Sequence, residues 1–199
     1  DQSLSERVRL GALAAYSKPR LNQDDPGTSS EAEGVELALY GPYRHGPLRV
    51  DFLVGGAASD IDGRRVVTAG GLTRVASSAY SARSASAYVE AGYALGHTVV
   101  VEPTASLEWS RQRNRSYTER GAGAFNLTEP ARTIDSLRAS LGARVLRTWE
   151  SADMRTTLEA RAAWAHEFGS QPSISARFAA DPAGAAFSVP AVDLPPNSA

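Results

Sequence analysis

Apolar and polar residues alternate along this chain with a period of two. Val99, Val101, Pro103, Ala105, Leu107 and Trp109 fall on one side of an extended segment, and Val100, Glu102, Thr104, Ser106, Glu108 and Ser110 fall on the other. That is the pattern of a strand with one apolar and one polar face. A helix would scatter Glu102 and Glu108 among the apolar positions. The same alternation sets Val8, Leu10, Ala12, Ala14 and Tyr16 against Arg7, Arg9 and Gly11, and Leu48, Val50, Phe52 and Val54 against Arg49, Asp51 and Leu53. It sets Ala85, Ala87, Val89, Ala91 and Tyr93 against Ser86, Tyr88, Glu90 and Gly92. It returns with Leu137 to Val145 against Arg138, Ser140, Gly142 and Arg144, and with Leu158 to Phe168 against Glu159, Arg161, Ala163 and Glu167. Residues 34–43 follow it more weakly. The pattern predicts seven strands, near 6–16, 34–43, 47–59, 72–95, 98–120, 135–148 and 155–168, with a short extension at 173–180.

The links between these strands alternate in length. Those near Gly41–Pro47, Gly96–His97 and Thr148–Met154 are short. Those near Asn22–Glu33, Asp60–Gly71, Arg120–Ile134 and Gly169–Pro190 are long and rich in Gly, Pro, Ser and Asp. Short turns at one end and long loops at the other are the habit of an outer-membrane barrel. A soluble sandwich mixes the two classes at both ends. Ten steps from Val99 to Trp109, at ~3.3 Å each and a tilt of ~40°, rise about 25 Å, the height of a lipid-facing apolar band. Aromatics sit towards its edges: Tyr16, Trp109, Trp164 and Phe168 near the long loops, and Tyr43, Tyr93 and Trp149 near the short turns. These are the expected lipid-interface positions. The expected fold is therefore all-β, an antiparallel transmembrane β-barrel of the outer-membrane type.

Composition narrows the chemistry. The 199 residues suit one domain or part of one, and Pro190 to Ala199 reads as a Pro-rich loop or tail. No run approaches the ~18 apolar residues of a membrane helix, which leaves a barrel open because its strands average to a polar hydropathy. The net charge of -1 argues against a nucleic-acid partner. Without cysteine there is no disulfide, thiolate metal site or cysteine nucleophile. His45, His97 and His166 have no ligand spacing, and no Gly-x-Ser-x-Gly elbow occurs. Glu102 and Glu108 share a face but lie about 20 Å apart, too far for a hydrolase pair. No catalytic residue, metal or cofactor is expected.

If the apolar face meets lipid, the polar face lines a lumen. The candidates are Arg7, Arg9, Glu36, Arg49, Asp51, Glu90, Glu102, Glu108, Arg138, Arg144, Glu159, Arg161, Glu167 and Arg177, seven arginines against seven acids. A wet lumen tolerates such charges because water and opposite partners offset their desolvation. A soluble β-sheet adhesin or binding module, or a porin-like barrel, would show the same alternation, so the charges alone leave these alternatives open.

Four stretches carry a closer resemblance. They are Tyr117-Thr-Glu-Arg-Gly-Ala-Gly-Ala124, Asp135-Ser-Leu-Arg-Ala-Ser-Leu-Gly-Ala-Arg144, Ala160-Arg-Ala-Ala-Trp-Ala-His-Glu-Phe-Gly169 and the segment from Ala176 to Val189. Gly70 to Tyr80 and Ala91-Gly-Tyr93 fit the same series. In order and spacing, from about Arg7 to Val189, they resemble the autotransporter β-domain, the translocator of type V secretion in Gram-negative bacteria. The resemblance implies a twelve-stranded barrel in the cell outer membrane with a helix through its pore, exporting an N-terminal passenger with help from the barrel-assembly machinery. Against that pattern about seven strands are expected here, with the pore helix, the passenger, the last strands and the terminal aromatic residue missing. Residues 1–199 are read as one partial barrel domain. A sheet with open edges leaves unpaired backbone groups that cost several kcal/mol each in hydrocarbon, so this piece alone is not expected to form a working pore.

Overall fold

The computed structural model describes residues 2–3, 5–23, 27–169, 173–190 and 196–198. Seven long strands dominate it: β1 (Arg9–Ser17), β2 (Thr28–His45), β3 (Leu48–Ala69), β4 (Leu72–Tyr93), β5 (Val99–Asn114), β6 (Arg132–Glu150) and β7 (Arg155–Glu167). Each pairs antiparallel with the next, so the sheet is a meander in chain order. Gln2–Ser3 extends it beyond β1, and Asn197–Ser198 extends it beyond β7 at Ala165 and His166. Among the described residues no ladder joins β1 to β7. Of the expected tail, Asn197–Ser198 is thus a strand, and residues 191–195 and 199 lie outside the described residues.

The seven strands stand where the alternation puts them, but the long links are not loops throughout. The stretch 60–71, expected as a link, continues β3 to Ala69, and the ladder with β4 runs unbroken to Ala69 and Leu72. Gly70 and Gly71 close it in two residues, with φ of 56° and 79°. Positive φ at both central positions is the requirement of a type I′ turn, which only glycine meets without strain. Part of the link expected at 22–33 likewise pairs, Arg20–Gln23 against Thr28–Glu31, while residues 24–26 lie outside the described residues. Parts of the other two links, with Tyr117–Thr118 from the end of the strand expected over 98–120, form a second, four-stranded sheet. Its order is Phe187–Pro190, Ser173–Phe178, Leu127–Glu129, Tyr117–Thr118. The stretch 60–65 is largely polar and so looks like a loop in sequence, whereas Ser173–Phe178, part of the extension expected at 173–180, and residues 187–189 do alternate but over few residues. None of them has to keep the long one-sided pattern of the band, because they project past it. The β3–β4 hairpin continues roughly 25–30 Å beyond it. The opposite end of the sheet has only short turns, at 46–47, 94–98 and 151–154.

The distribution of burial is inverted relative to a water-soluble domain. The buried apolar residues among those described are all alanines: Ala38, Ala76, Ala82, Ala122, Ala165 and Ala176. The buried polar ones include Glu90 and Glu102, each 3% exposed. Meanwhile Leu37 is 65% exposed, Leu158 64% and Phe168 61%. Large apolar side chains this exposed, over this many strands, are tolerated only against an apolar solvent.

The ladder registers show how tall that solvent layer is. Uncharged outward residues run from Val35 to Tyr43 on β2, Val50 to Ala58 on β3, and Ala85 to Tyr93 on β4. They run from Val99 to Trp109 on β5, Leu137 to Val145 on β6, and Thr156 to Trp164 on β7. Eight to ten steps of a tilted strand rise about 20–25 Å, which is the height of a lipid-facing band. Just past the long-loop edge of this band the outward face turns charged, at Glu33, Asp60, Arg83, Arg111 and Asp135.

Leu141 lies mid-band and outward, opposite Ala105 and Trp164. Leu141→Arg is expected to destabilise the folded protein in lipid vesicles by about 2–4 kcal/mol in a denaturant titration. Ser140→Arg, one residue away on the other face, is expected to cost well under that. Equal costs would contradict the two-sided reading of the sheet.

Candidate functional site: the charged concave face

One face of the sheet collects the charges. Cross-strand register places Arg7, Arg9, Glu36, Arg49, Asp51, Glu90, Glu102, Glu108, Arg138, Arg144, Glu159, Arg161 and Glu167 on the same side. Arg177 is not among them: it lies in Ser173–Phe178 of the second sheet and donates to the Pro182 carbonyl at 2.9 Å. The seven aromatics Tyr16, Tyr43, Tyr93, Trp109, Trp149, Trp164 and Phe168 all lie on the opposite face.

The register creates a problem that the side chains resolve. On this face three like-charged pairs sit directly opposite each other: Arg44 and Arg49, Asp51 and Glu90, Arg144 and Arg161. Such pairs repel. Each charge instead reaches an opposite partner, diagonally, along its own strand or, for Arg144 and Glu102, directly across the other ladder. Arg49 is the hub. Its Nη2 donates to Glu90 Oε1 at 2.7 Å, its Nε to Glu102 Oε1 at 2.7 Å, and its Nη1 to Asp51. Arg44 donates to Asp51 at 2.9 Å. Arg144 donates to Glu102 and lies 3.7 Å from Glu159. The Tyr88 hydroxyl donates to Glu90 Oε2 at 3.0 Å, and Arg161 donates to the same oxygen. Arg44, Arg49, Arg144 and Arg161 thus balance Asp51, Glu90, Glu102 and Glu159.

The Arg161–Glu90 contact also reports shape. β7 and β4 are three strands apart, about 14–15 Å in a flat sheet. Two side chains lying over neighbouring strands cannot meet across that span unless the sheet curls towards them. The charged face is therefore concave and the apolar face convex, the arrangement of a barrel wall.

Glycine makes room for the network. Gly92 faces Thr104, one step from Glu102, and a Cβ there would collide with the Glu102 carboxylate. Gly142 faces Thr104 from β6, where a Cβ would lie 2.8 Å from that of Ala163.

A second cluster stands beyond the band. Asn114 pairs with Ala82, and Arg120 bridges to Ser77. Six steps on one strand match five on the other, so the chain holds one extra residue there, a β-bulge. The bulge reverses which face odd-numbered residues take. Tyr117 and Glu119 now turn to the concave side. Tyr117 stacks on Tyr80 at 4.7 Å, and its hydroxyl donates to Glu129 at 2.6 Å. Arg65 forks onto Glu119 at 3.0 and 2.5 Å, and Glu119 also accepts the Leu127 N–H at 2.8 Å. Strict alternation could not have found this pair, because the bulge breaks its phase. Tyr88 stood in the right phase in sequence, and Arg44 was obscured by its closeness to a turn.

A concave charged wall, a convex apolar one and long links at one end form the wall of an outer-membrane barrel. Comparison with known families decides which kind. All 199 residues match the family described as "Autotransporter beta-domain". The chain belongs to that family. Two curated relatives, each named "Extracellular serine protease" and from Serratia marcescens, are 29% identical over 174 residues. The match covers 85% of this chain and 16% of each relative, so the autotransporter β-domain sequence spans a small part of those proteins. The barrel class, the outer membrane and type V secretion follow from membership.

Removing the Glu102 carboxylate takes an acceptor from Arg49 and leaves Arg144, among the described residues, only Glu159, at 3.7 Å. Glu102→Ala in this β-domain is expected to cost about 3–5 kcal/mol in a denaturant titration, the range for breaking a buried ionic group. A cost below 1 kcal/mol would mean the network is solvated and loose.

The outer cluster carries a pH signature. Burial, then the hydrogen bond to Glu129, holds the Tyr117 phenol above its ordinary value of 10.0. Unfolded, the phenol ionises near that value, while folded it keeps its proton to higher pH. The stability it contributes is complete below about pH 10 and is lost as pH rises beyond. Thermal unfolding followed from pH 8 to 12 should show this loss, and Tyr117→Phe should abolish that part of it.

Proposed function

We propose that this chain forms one sector of a translocator barrel that helps bring an N-terminal passenger to the cell surface. The convex face, with Tyr16, Tyr43, Tyr93, Trp109, Trp149, Trp164 and Phe168 towards its edges, holds the barrel in outer-membrane lipid. The concave face lines the lumen: Arg49, Asp51, Glu90, Glu102, Arg144, Glu159 and Arg161 in one network, with Arg7, Arg9, Glu36, Glu108, Arg138 and Glu167 around it. The observation that carries this reading is the inversion of burial, with carboxylates covered and large apolar side chains bare. A soluble binding module would need the reverse.

The mechanism is passive. A balanced lumen offers a passing polypeptide no single-sign surface to adhere to, and opposite partners keep the charges from acting as lone desolvated ions. The ionic hub stiffens the wall, so the conduit keeps its shape without a packed apolar interior. Insertion calls on the barrel-assembly machinery as partner. The proteolytic activity in the relatives' names is theirs, and no catalytic step is assigned to these strands.

The test is display. A compact reporter is joined upstream of the β-domain in the autotransporter that contains these strands, and the protein is expressed in a Gram-negative host. Protease added outside intact cells is expected to remove the reporter, with the β-domain shifting on gels with heating as folded barrels do. A reporter that remains shielded in the periplasm, beside a folded β-domain, would overturn the export role. A β-domain that is monodisperse in buffer without detergent would overturn the membrane role.

A further inference from the structure

The outward face just past the long-loop edge of the apolar band holds charges that the lumen network does not use. Arg83 on β4 and Arg113 on β5 are directly opposite each other and both point outward. Arg115 follows two residues on, at the level where its backbone N–H donates to the Ser81 carbonyl. All three are exposed. None has an ion pair or side-chain hydrogen bond among the described residues. Their neighbour shows that partners were geometrically possible: Arg111, two residues down the same strand, forks onto Asp135 at 2.5 and 3.1 Å. Two guanidinium stems about 5 Å apart at Cβ repel unless an anion lies between them.

There is space for one. A hollow of ≈ 940 Å³ opens at this level, with Arg83, Arg113 and Arg115 on one side and Tyr16, Glu33 and Asp60 across from them. Its floor is low because Ala58 and Ser81 are small. The row formed by Tyr16, Val35, Ala58, Arg83 and Arg113 lies at the band edge, and the row of Glu33, Asp60 and Ser81 lies one step further out. Glu33 is engaged by Lys18 at 3.4 Å, whereas Asp60 faces the hollow.

We propose that this hollow binds the phosphate of an outer-leaflet lipid headgroup. The proposal rests on the membrane reading above. Depth argues for a lipid rather than a soluble anion. Arg83 and Arg113 lie where hydrocarbon gives way to headgroups, which is where lipid phosphates stand. The arginine fork matches phosphate oxygens with two parallel hydrogen bonds. Glu33 and Asp60, one row further from the bilayer centre, suit a headgroup whose amine lies outside its phosphate. No reaction is involved. The lipid would lie along Val35, Ala85 and Trp109 below the hollow.

The test uses the folded β-domain in the autotransporter that contains it, in discs of an uncharged glycosyl diacylglycerol doped with a phosphate-bearing phospholipid of the same acyl chains. Lipids retained on the protein are read by native mass spectrometry. Wild type is expected to enrich the phosphate lipid over the bulk disc. The triple variant Arg83→Gln, Arg113→Gln, Arg115→Gln is expected to lose that enrichment about tenfold, as when charge-assisted hydrogen bonds are removed. Arg155→Gln, at the short-turn end, should leave it unchanged. Equal retention by wild type and triple variant would overturn the proposal while leaving the translocator reading standing. Displacement of the lipid by an equal concentration of inorganic phosphate would overturn the lipid assignment in favour of a free-anion site. A wild-type β-domain that does not fold in the discs, judged by its heat-dependent gel mobility, would overturn the membrane reading and the proposal together.

Discussion

A chain that crosses hydrocarbon must give every backbone N–H and C=O a partner within the protein, and all else in this structure depends on that. The meander from β1 to β7 is the simplest answer, since each strand hands its polar groups to the next and each turn is short where space is limited. Pairing fixes the pleat. The pleat then leaves only two directions for side chains, one towards lipid and one towards the interior. Burial, charge and aromatic placement follow from that division rather than from any packed centre.

The concave face shows what the division costs. In a soluble domain the inward side would be filled by large apolar groups. Here no large side chain is fully buried among the described residues, and cohesion across the concave side comes from Arg49 and its acids. Because three like-charged pairs are opposite in register and each charge is shared among several partners, no pair is satisfied in isolation. Arg49 serves Asp51, Glu90 and Glu102, while Glu90 serves Arg49, Arg161 and Tyr88. The network couples β2 to β7, so curvature is held by ions where a solid core is lacking. Gly92 belongs to this design: its missing side chain is the space that the Glu102 carboxylate fills.

Much of this was legible from the sequence, for a physical reason. Within the band a period of two has to be kept strictly, since a single slip turns an arginine to lipid. The strands through Val99–Trp109 and Leu137–Val145 are therefore written plainly in the order of residues, and so are the faces of Glu90, Glu102 and Arg144. Beyond the band, water solvates both faces and the pattern loosens. There the stretch 60–69 resembles a loop although it is a strand, and only Gly70-Gly71 hints at the hairpin tip. Which arginine meets which acid was not legible either. Arg161 and Glu90 are 71 residues apart in the chain and three strands apart in the sheet, and their meeting depends on curvature that no local pattern encodes. Arg177 shows the converse error: it continued the charged series by composition, but its strand belongs to the second sheet.

The bulge between Arg115 and Arg120 divides the chain into two regimes of tolerated change. Before it, the odd-numbered positions of β5 from Val99 to Trp109 lie on the convex face and can exchange only among apolar and aromatic residues, while Arg111 and Arg113 already stand past the band. After it, odd positions turn to the interior of the projecting segment, where Tyr117 and Glu119 are held by Tyr80 and Arg65, and even ones face water. One inserted residue thus insulates the membrane register from the surface segment. Residues past the bulge can vary, lengthen or shorten as surface conditions demand without shifting a single side chain within the bilayer. The surface of this barrel can evolve at its own pace.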